Sequence, residues 1–176
     1  SQLGGWTVGV LVLANFGAAG QLVINGVRVG RELERERDTK PEQGSIVTIA
    51  ATDAPLLDRG LGRLARRVAL GLARTGSTGG HGSGEVAIAF STAPGLRVPH
   101  EPESPLLQRE ILADDDRGNR PGHIDTLFQA VIEATEEAVL NSLFRAQTVN
   151  GRDSHTSHAL PLDRVRELVL SRPIGG

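Results

Sequence analysis

Cysteine, methionine and tyrosine are absent from this chain of 176 residues, lysine occurs once, at Lys40, and the aromatic residues are one Trp and four Phe. Without cysteine there is no disulfide framework and no thiolate metal site. Nineteen basic against twenty-one acidic residues leave a net charge of −2. No basic cluster interleaves with aromatics, so a nucleic-acid surface is not expected. No run reaches the roughly 18 apolar residues that a membrane-spanning helix needs, so no membrane partner is expected either. The first residues lack the basic start of a secretory signal. What remains is Val, Leu, Ile and Ala in short runs, which point to a well-buried sheet in a chain long enough for one domain with a core of its own.

Residues 6–14 (WTVGVLVLA) read as a buried strand. Residues 21–24, then Asn25-Gly26, then 27–29 read as a hairpin, because Asn-Gly supplies the two left-handed positions of a tight turn. Residues 30–44 (GRELERERDTKPEQG) are dense in charge with no apolar period, and predict an exposed, mobile segment. It stops at Ser45, where SIVTIAA opens a second strand. Pro55 reads as the first residue of a helix, with Thr52 or Asp53 in the capping region. Leu57, Leu61, Leu64, Val68 and Leu72 carry that helix to Arg74 at spacings of three and four. Five glycines in residues 75–84 predict a flexible loop, and 84–93 a third strand. Residues 94–121, including Asp114–Asp116, read as a long excursion. A long helix follows from His123 to about Gln147, buried along Ile124, Leu127, Phe128, Val131, Thr135, Ala138, Val139 and Leu143, and a closing helix contains Leu162, Val165, Leu168 and Val169. The order of strands and helices predicts an α+β layer architecture.

Several residues carry candidate chemistry. If the Gly44–Ser45 bond breaks, the α-amino group of Ser45 becomes a base within reach of its own hydroxyl, with a pKa near ~7.7–8.0. On Gly-Ser alone, a serine that merely starts a strand is the plainer reading. Asn15 ends the first strand, where its amide could donate to an oxyanion; in isolation a turn residue explains it as well. Ser83 and Glu85 are two apart at the start of the third strand, so strand geometry puts them on one face. A hydroxyl and a carboxylate there could orient an amine and favour its charged form; loop polarity is the simpler account of the pair alone. The glycine loop lacks the Lys-Ser/Thr ending of a phosphate loop and precedes a strand, which excludes phosphate binding of that kind. His155 and His158 have a ligand-like spacing, but only Asp153 lies near, so a surface loop is expected.

Taken together, WTVGVLVLANFG (6–17), GSIVTIAATDAPLL (44–57), RLARRVALGLARTGS (63–77), GSGEVAIAFSTA (82–93), ATEEAVLNSLFRAQTVNGRD (134–153) and HALPLDRV (158–165) resemble the C-terminal half of the L-aminopeptidase/D-esterase and β-peptidyl aminopeptidase family. The stretches lie in family order and cover most of the chain. The resemblance implies self-cleavage between Gly44 and Ser45, with Ser45 as the nucleophile, Asn15 as oxyanion donor, and Ser83 and Glu85 assisting the nucleophile and its amine. It implies a four-layer αββα sandwich of which this chain supplies part: residues 1–44 as the end of an α portion, and 45–176 as a β portion beginning at the nucleophile. A companion N-terminal α portion of the same precursor is implied, together with a homo-oligomer of αβ units. The expected activity is hydrolysis of short peptides, amides or esters at their N-terminal residue, with no metal or organic cofactor. An acyltransferase of similar architecture and an inactive binding or assembly subunit are the alternatives. Ser1 is a rival nucleophile as the chain is written, but Gln2-Leu3-Gly4-Gly5 does not lead into a buried strand as Ser45 does. Family precursors are about twice this length and carry a tyrosine in their N-terminal half, and this chain has none.

Overall fold

The computed structural model describes residues 2–3, 5–35, 44–113 and 122–171. Its centre is a four-stranded sheet in the order β1-β2-β3-β4, with β1 at Gln2–Leu3, β2 at Trp6–Asn15, β3 at Ser45–Thr52 and β4 at Gly84–Ser91. The runs of Val, Leu and Ile form β2 and β3, as their β-branched content favours. β2 pairs antiparallel with β3 from Val8↔Thr52 to Asn15↔Ser45. β3 pairs parallel with β4 from Ser45↔Gly84 to Thr52↔Ser91. A parallel pair needs a crossover, and helix α2, at Asp58–Arg74, provides it.

Strand alternation divides the sheet into two unlike faces. Val8, Ile46, Thr48 and Ala50 are buried beneath α2 and α3, the latter at His123–Arg145. The two helices pack closely because Gly71 of α2 meets Ile132 and Thr135 of α3; an added Cβ would stand 2.6 Å from the Ile132 carbonyl oxygen. Residues of the opposite parity face outward: Leu13 is 74% exposed, Ile88 55% and Phe90 44%. One sheet face is therefore core, and the other is an apolar surface without cover among the described residues.

Several local expectations are corrected. Pro55 does not open α2, which starts three residues later after the extended Leu57. Leu56 is drawn into the core at 3% exposure, and that holds the backbone extended. Thr52 and Asp53 do not cap the helix; they fasten the end of β3 to β2. The Thr52 hydroxyl donates to the Thr7 carbonyl at 2.8 Å, and the Thr7 N–H donates to Asp53 Oδ1 at 2.6 Å. The Asn25-Gly26 turn forms, with both residues at positive φ (49° and 72°). Only Ile24↔Val27 bridges across it, so it is a turn without a hairpin's strands.

Val29, expected in the hairpin, and residues 30–35, expected to lack regular structure, form helix α1, Val29–Arg35. Val29 and Leu33 lie one turn apart and join Val165 of α4, Leu162–Leu170, in a second small core with Leu140 and Phe144. The rest of the segment expected to be mobile, residues 36–43, lies outside the described residues, as do Ser1 and Asp114–Asp116. The excursion after β4 has one 3₁₀ turn at Pro94–Leu96 and is tied back where the Leu112 N–H donates to the Pro55 carbonyl at 2.9 Å. A short pair, β5 at Val149–Asn150 and β6 at Thr156–Ser157, carries His155 in its connection.

Candidate active site

Three strand ends meet at one edge of the sheet. Ser45 opens β3, Asn15 closes β2 directly opposite it, and Gly84 opens β4 on its other side. The antiparallel and parallel registers together bring an amide, a hydroxyl and the SGE segment into one place, though they lie 30 and 39 residues from Ser45 in sequence. The Gly84 N–H donates to Ser45 Oγ at 3.3 Å. That bond holds a hydroxyl which is otherwise open to solvent.

Asn15 and Ser45 share a register position and so project to the uncovered face, in line with Leu13 and Val47. Gly44 lies against the main chain of Asn15: an added Cβ would overlap the Asn15 carbonyl oxygen and stand 2.8 Å from its carbonyl carbon. The Gly44–Ser45 bond is thus pressed onto the strand end that bears the Asn15 amide.

Glu85 pairs with Ile46 and therefore projects to the helix side, the face opposite the Ser45 hydroxyl. With Arg66 and Thr48 it borders a cavity of about 260 Å³ between the sheet and α2. Ser83 lies one residue before β4. Its Oγ is buried and has no hydrogen-bond partner among the described residues. It borders a second cavity of about 190 Å³ together with Gly44, Ser77, Gly80 and Gly82. A buried hydroxyl left without a partner carries a desolvation cost, so this one is poised to bond whatever enters.

The arrangement can support nucleophilic acyl chemistry: a solvent-open hydroxyl, an amide beside it, and a hydroxyl and carboxylate at the adjacent strand start. His155 and His158 are exposed at the β5–β6 pair and its exit, and among the described residues no group of three His, Cys, Asp or Glu is placed to hold a metal. Sequence reasoning did not identify Gln21 and Thr78, whose side chains join across the mouth of the site (Gln21 Nε2 to Thr78 Oγ1, 3.1 Å). Neither residue had a pattern to mark it, since Thr78 sits in a loop read as flexible.

A sheet covered by helices on one face, with a serine opening an inner strand, makes this an α+β protein with a candidate nucleophile at a strand end. The chain belongs to peptidase family S58, whose model matches residues 1–157. It is 35% identical over 180 residues to the β-peptidyl aminopeptidase BapA of Sphingosinicella xenopeptidilytica, covering 95% of this chain and 43% of that protein. With BapA of Sphingosinicella microcystinivorans it shares 36% identity over 179 residues, again 43% of that protein. Among solved structures it resembles the L-aminopeptidase D-Ala-esterase/amidase of Ochrobactrum anthropi, described as a prototype for the serine aminopeptidases and a new variant among the Ntn hydrolase fold. The TM-score is 0.81 at 36% identity, covering 97% of this chain and 45% of the other. A protein from Pyrococcus horikoshii matches with TM-score 0.80 at 43% identity, over 98% of this chain and 46% of the other. The chain thus spans less than half the length of these relatives, and the α+β fold expected from the sequence holds.

Proposed function

We propose that this chain is the C-terminal part of a self-processing serine aminopeptidase that acts through an acyl-enzyme on Ser45. The observation that carries the reading is the convergence of Asn15, Ser45 and Gly84 at one sheet end, where two registers align them. In the first reaction Ser45 Oγ attacks the Gly44 carbonyl carbon, the peptide C–N bond breaks, and the nitrogen takes up the proton lost by the hydroxyl. Water then hydrolyses the resulting ester, giving a Gly44 carboxylate and a free Ser45 hydroxyl and amine. Residues 1–44 become the end of an α portion, and 45–176 the β portion.

In turnover the freed amine accepts the hydroxyl proton as Ser45 attacks the substrate carbonyl. The Asn15 amide donates to the oxyanion. Glu85, on the helix side of the strand end, faces the amine rather than the hydroxyl, and Ser83 offers its unpaired Oγ to the same group. The Ser45 amine passes the hydroxyl proton to the leaving group as the scissile bond breaks, and water then hydrolyses the acyl-enzyme, returning a proton to Ser45 Oγ. Substrates are short peptides, amides or esters with a free N-terminal residue, as the relatives' names support. A companion N-terminal portion supplies the cover for the uncovered sheet face, and αβ units assemble into a homo-oligomer.

Intact-mass analysis of the full-length protein, with turnover of alanine p-nitroanilide, tests the reading. A fragment beginning at Ser45 and release of nitroaniline are expected, and both vanish in Ser45→Ala. An uncut chain with no turnover overturns it in favour of a binding or assembly subunit.

A further inference from the structure

We propose that Gln21 and Thr78 form a clasp that positions the glycine-rich loop leading to Ser83 and Glu85, and so couples that loop to the strand end bearing Asn15. The inference rests on the catalytic reading above, and it names two positioning residues that no motif marks.

Residues 75–84 contain five glycines, a composition with a large conformational entropy to lose on ordering. A catalytic hydroxyl at the far end of such a loop needs external ties to hold its place. The segment that follows Asn15 provides them. The Val23 N–H donates to the Thr75 carbonyl at 2.9 Å. Gly76 has φ +97° and packs against the Gln21 carbonyl so closely that no Cβ fits. Two residues on, Gln21 Nε2 donates to Thr78 Oγ1 at 3.1 Å. This is the one side-chain hydrogen bond that reaches residues 77–83 from elsewhere in the described chain.

Thr78 is the right place for such a tie. Its neighbour Gly79 lies over the Glu85 carboxylate, with Oε1 3.6 Å from where a Gly79 Cβ would stand. Beyond it the loop is held by its own backbone, the Ser83 N–H donating to the Gly80 carbonyl at 2.8 Å. Gln21 also borders both the cavity under Ser83 and the larger one beside Asn15. Gln21 and Thr78 thus stand between the proposed oxyanion donor and the residues proposed to serve the amine. Opening the clasp frees the loop over Glu85 and Ser83 without removing any group that touches substrate.

The test uses the full-length processed protein and compares wild type with Gln21→Leu, Thr78→Val, the double variant and Thr78→Ser. Hydrogen exchange of the amides of residues 79–84 is measured beside turnover of alanine p-nitroanilide. Each of Gln21→Leu and Thr78→Val is expected to speed exchange in that stretch and to lower kcat by about three- to tenfold, the range of one net hydrogen bond, with KM little changed. The double variant should be no worse than either single one, because both remove the same bond. Thr78→Ser, which keeps the hydroxyl, should behave as wild type. Unchanged exchange in both single variants, a double effect equal to the product of the singles, or a Thr78→Ser as damaging as Thr78→Val overturns the clasp. Exchange in β2, β3 and α2 reports whether each variant keeps its fold, and either partner of the bond carries the test if the other variant does not fold. A wild-type protein without turnover sinks the aminopeptidase reading, while the exchange measurements still decide the clasp.

Discussion

In the proposed mechanism Ser45 does two jobs with one hydroxyl, so its removal should have a sharp signature: Ser45→Ala is expected to abolish both the appearance of the shorter fragment on a mass spectrum and the hydrolysis of amide substrates. Asn15→Ala leaves the hydroxyl in place and removes the proposed oxyanion donor, a loss that typically costs ~10²–10³ in rate; steady-state kinetics on processed protein should show it mainly in kcat. Glu85 tests the amine. In the proposed geometry a carboxylate near the amine would favour its protonated form and raise its pKa. Glu85→Gln removes that charge, the amine loses its proton more readily, and the acid limb of the kcat/KM profile moves to lower pH. A limb that stays in place or moves up would show that Glu85 does not face the amine. Of these residues, only their types and order were legible in the sequence. That Asn15 stands opposite Ser45 depends on register, and that Glu85 and Ser45 project to opposite faces follows from which residue pairs with which. A strand pattern read in isolation carries neither.

The elements that could be read were those whose own residues repeat a period long enough to stand out. β2, β3 and β4 show runs of branched apolar residues, and α2 and α3 show spacings of three and four across several turns. α1 shows no such period, because its buried apolar side chains are only Val29 and Leu33, surrounded by charge; it is held by packing on the turn at Ala19–Gln21, where the Gly30 N–H donates to the Leu22 carbonyl at 3.0 Å, and by Val165 of α4. The start of α2 was misplaced because Pro55 suits a first helical turn, while burial of Leu56 outweighs that local preference. The contact of α2 with α3 had no sequence signal, since glycine in a helix reads as a weakness. It makes a firm prediction all the same. Gly71→Ala gains helix propensity yet forces the helices apart, and chemical denaturation should find it destabilised by about 1–3 kcal/mol. A neutral or stabilising result would mean that the crossing is looser than the Ile132 and Thr135 contacts indicate.

At the scale of the whole molecule, the uncovered sheet face dominates. Leu11, Leu13, Ile88 and Phe90 lie on one sheet face and are all well exposed, and an exposed apolar face of this kind marks an interaction surface. This chain alone should therefore self-associate, and replacing Leu13 and Ile88 by Asn should reduce the light scattering of the isolated chain. If the proposed companion portion covers this face, the same double substitution in the full-length protein should block assembly with it. The opposite pairing of outcomes would place that face on the outside.

The ladder between β2 and β3 runs through eight residue pairs, from Val8↔Thr52 to Asn15↔Ser45, and it joins the two sides of the bond proposed to break. Cutting that bond leaves the folded shape intact but changes the molecularity of its return from the unfolded state. The uncut chain finds its partner strand on the same molecule, at an effective concentration set by the connecting residues 16–44. After the cut the same strand belongs to a separate molecule and must be met by diffusion. Refolding of Ser45→Ala should be first order and independent of dilution, whereas the processed protein should refold at a rate and yield that rise with concentration. Cleavage would thus work as a one-way stamp: a molecule that has folded well enough to cut itself keeps its shape only while it stays folded, and it cannot readily rebuild that shape alone.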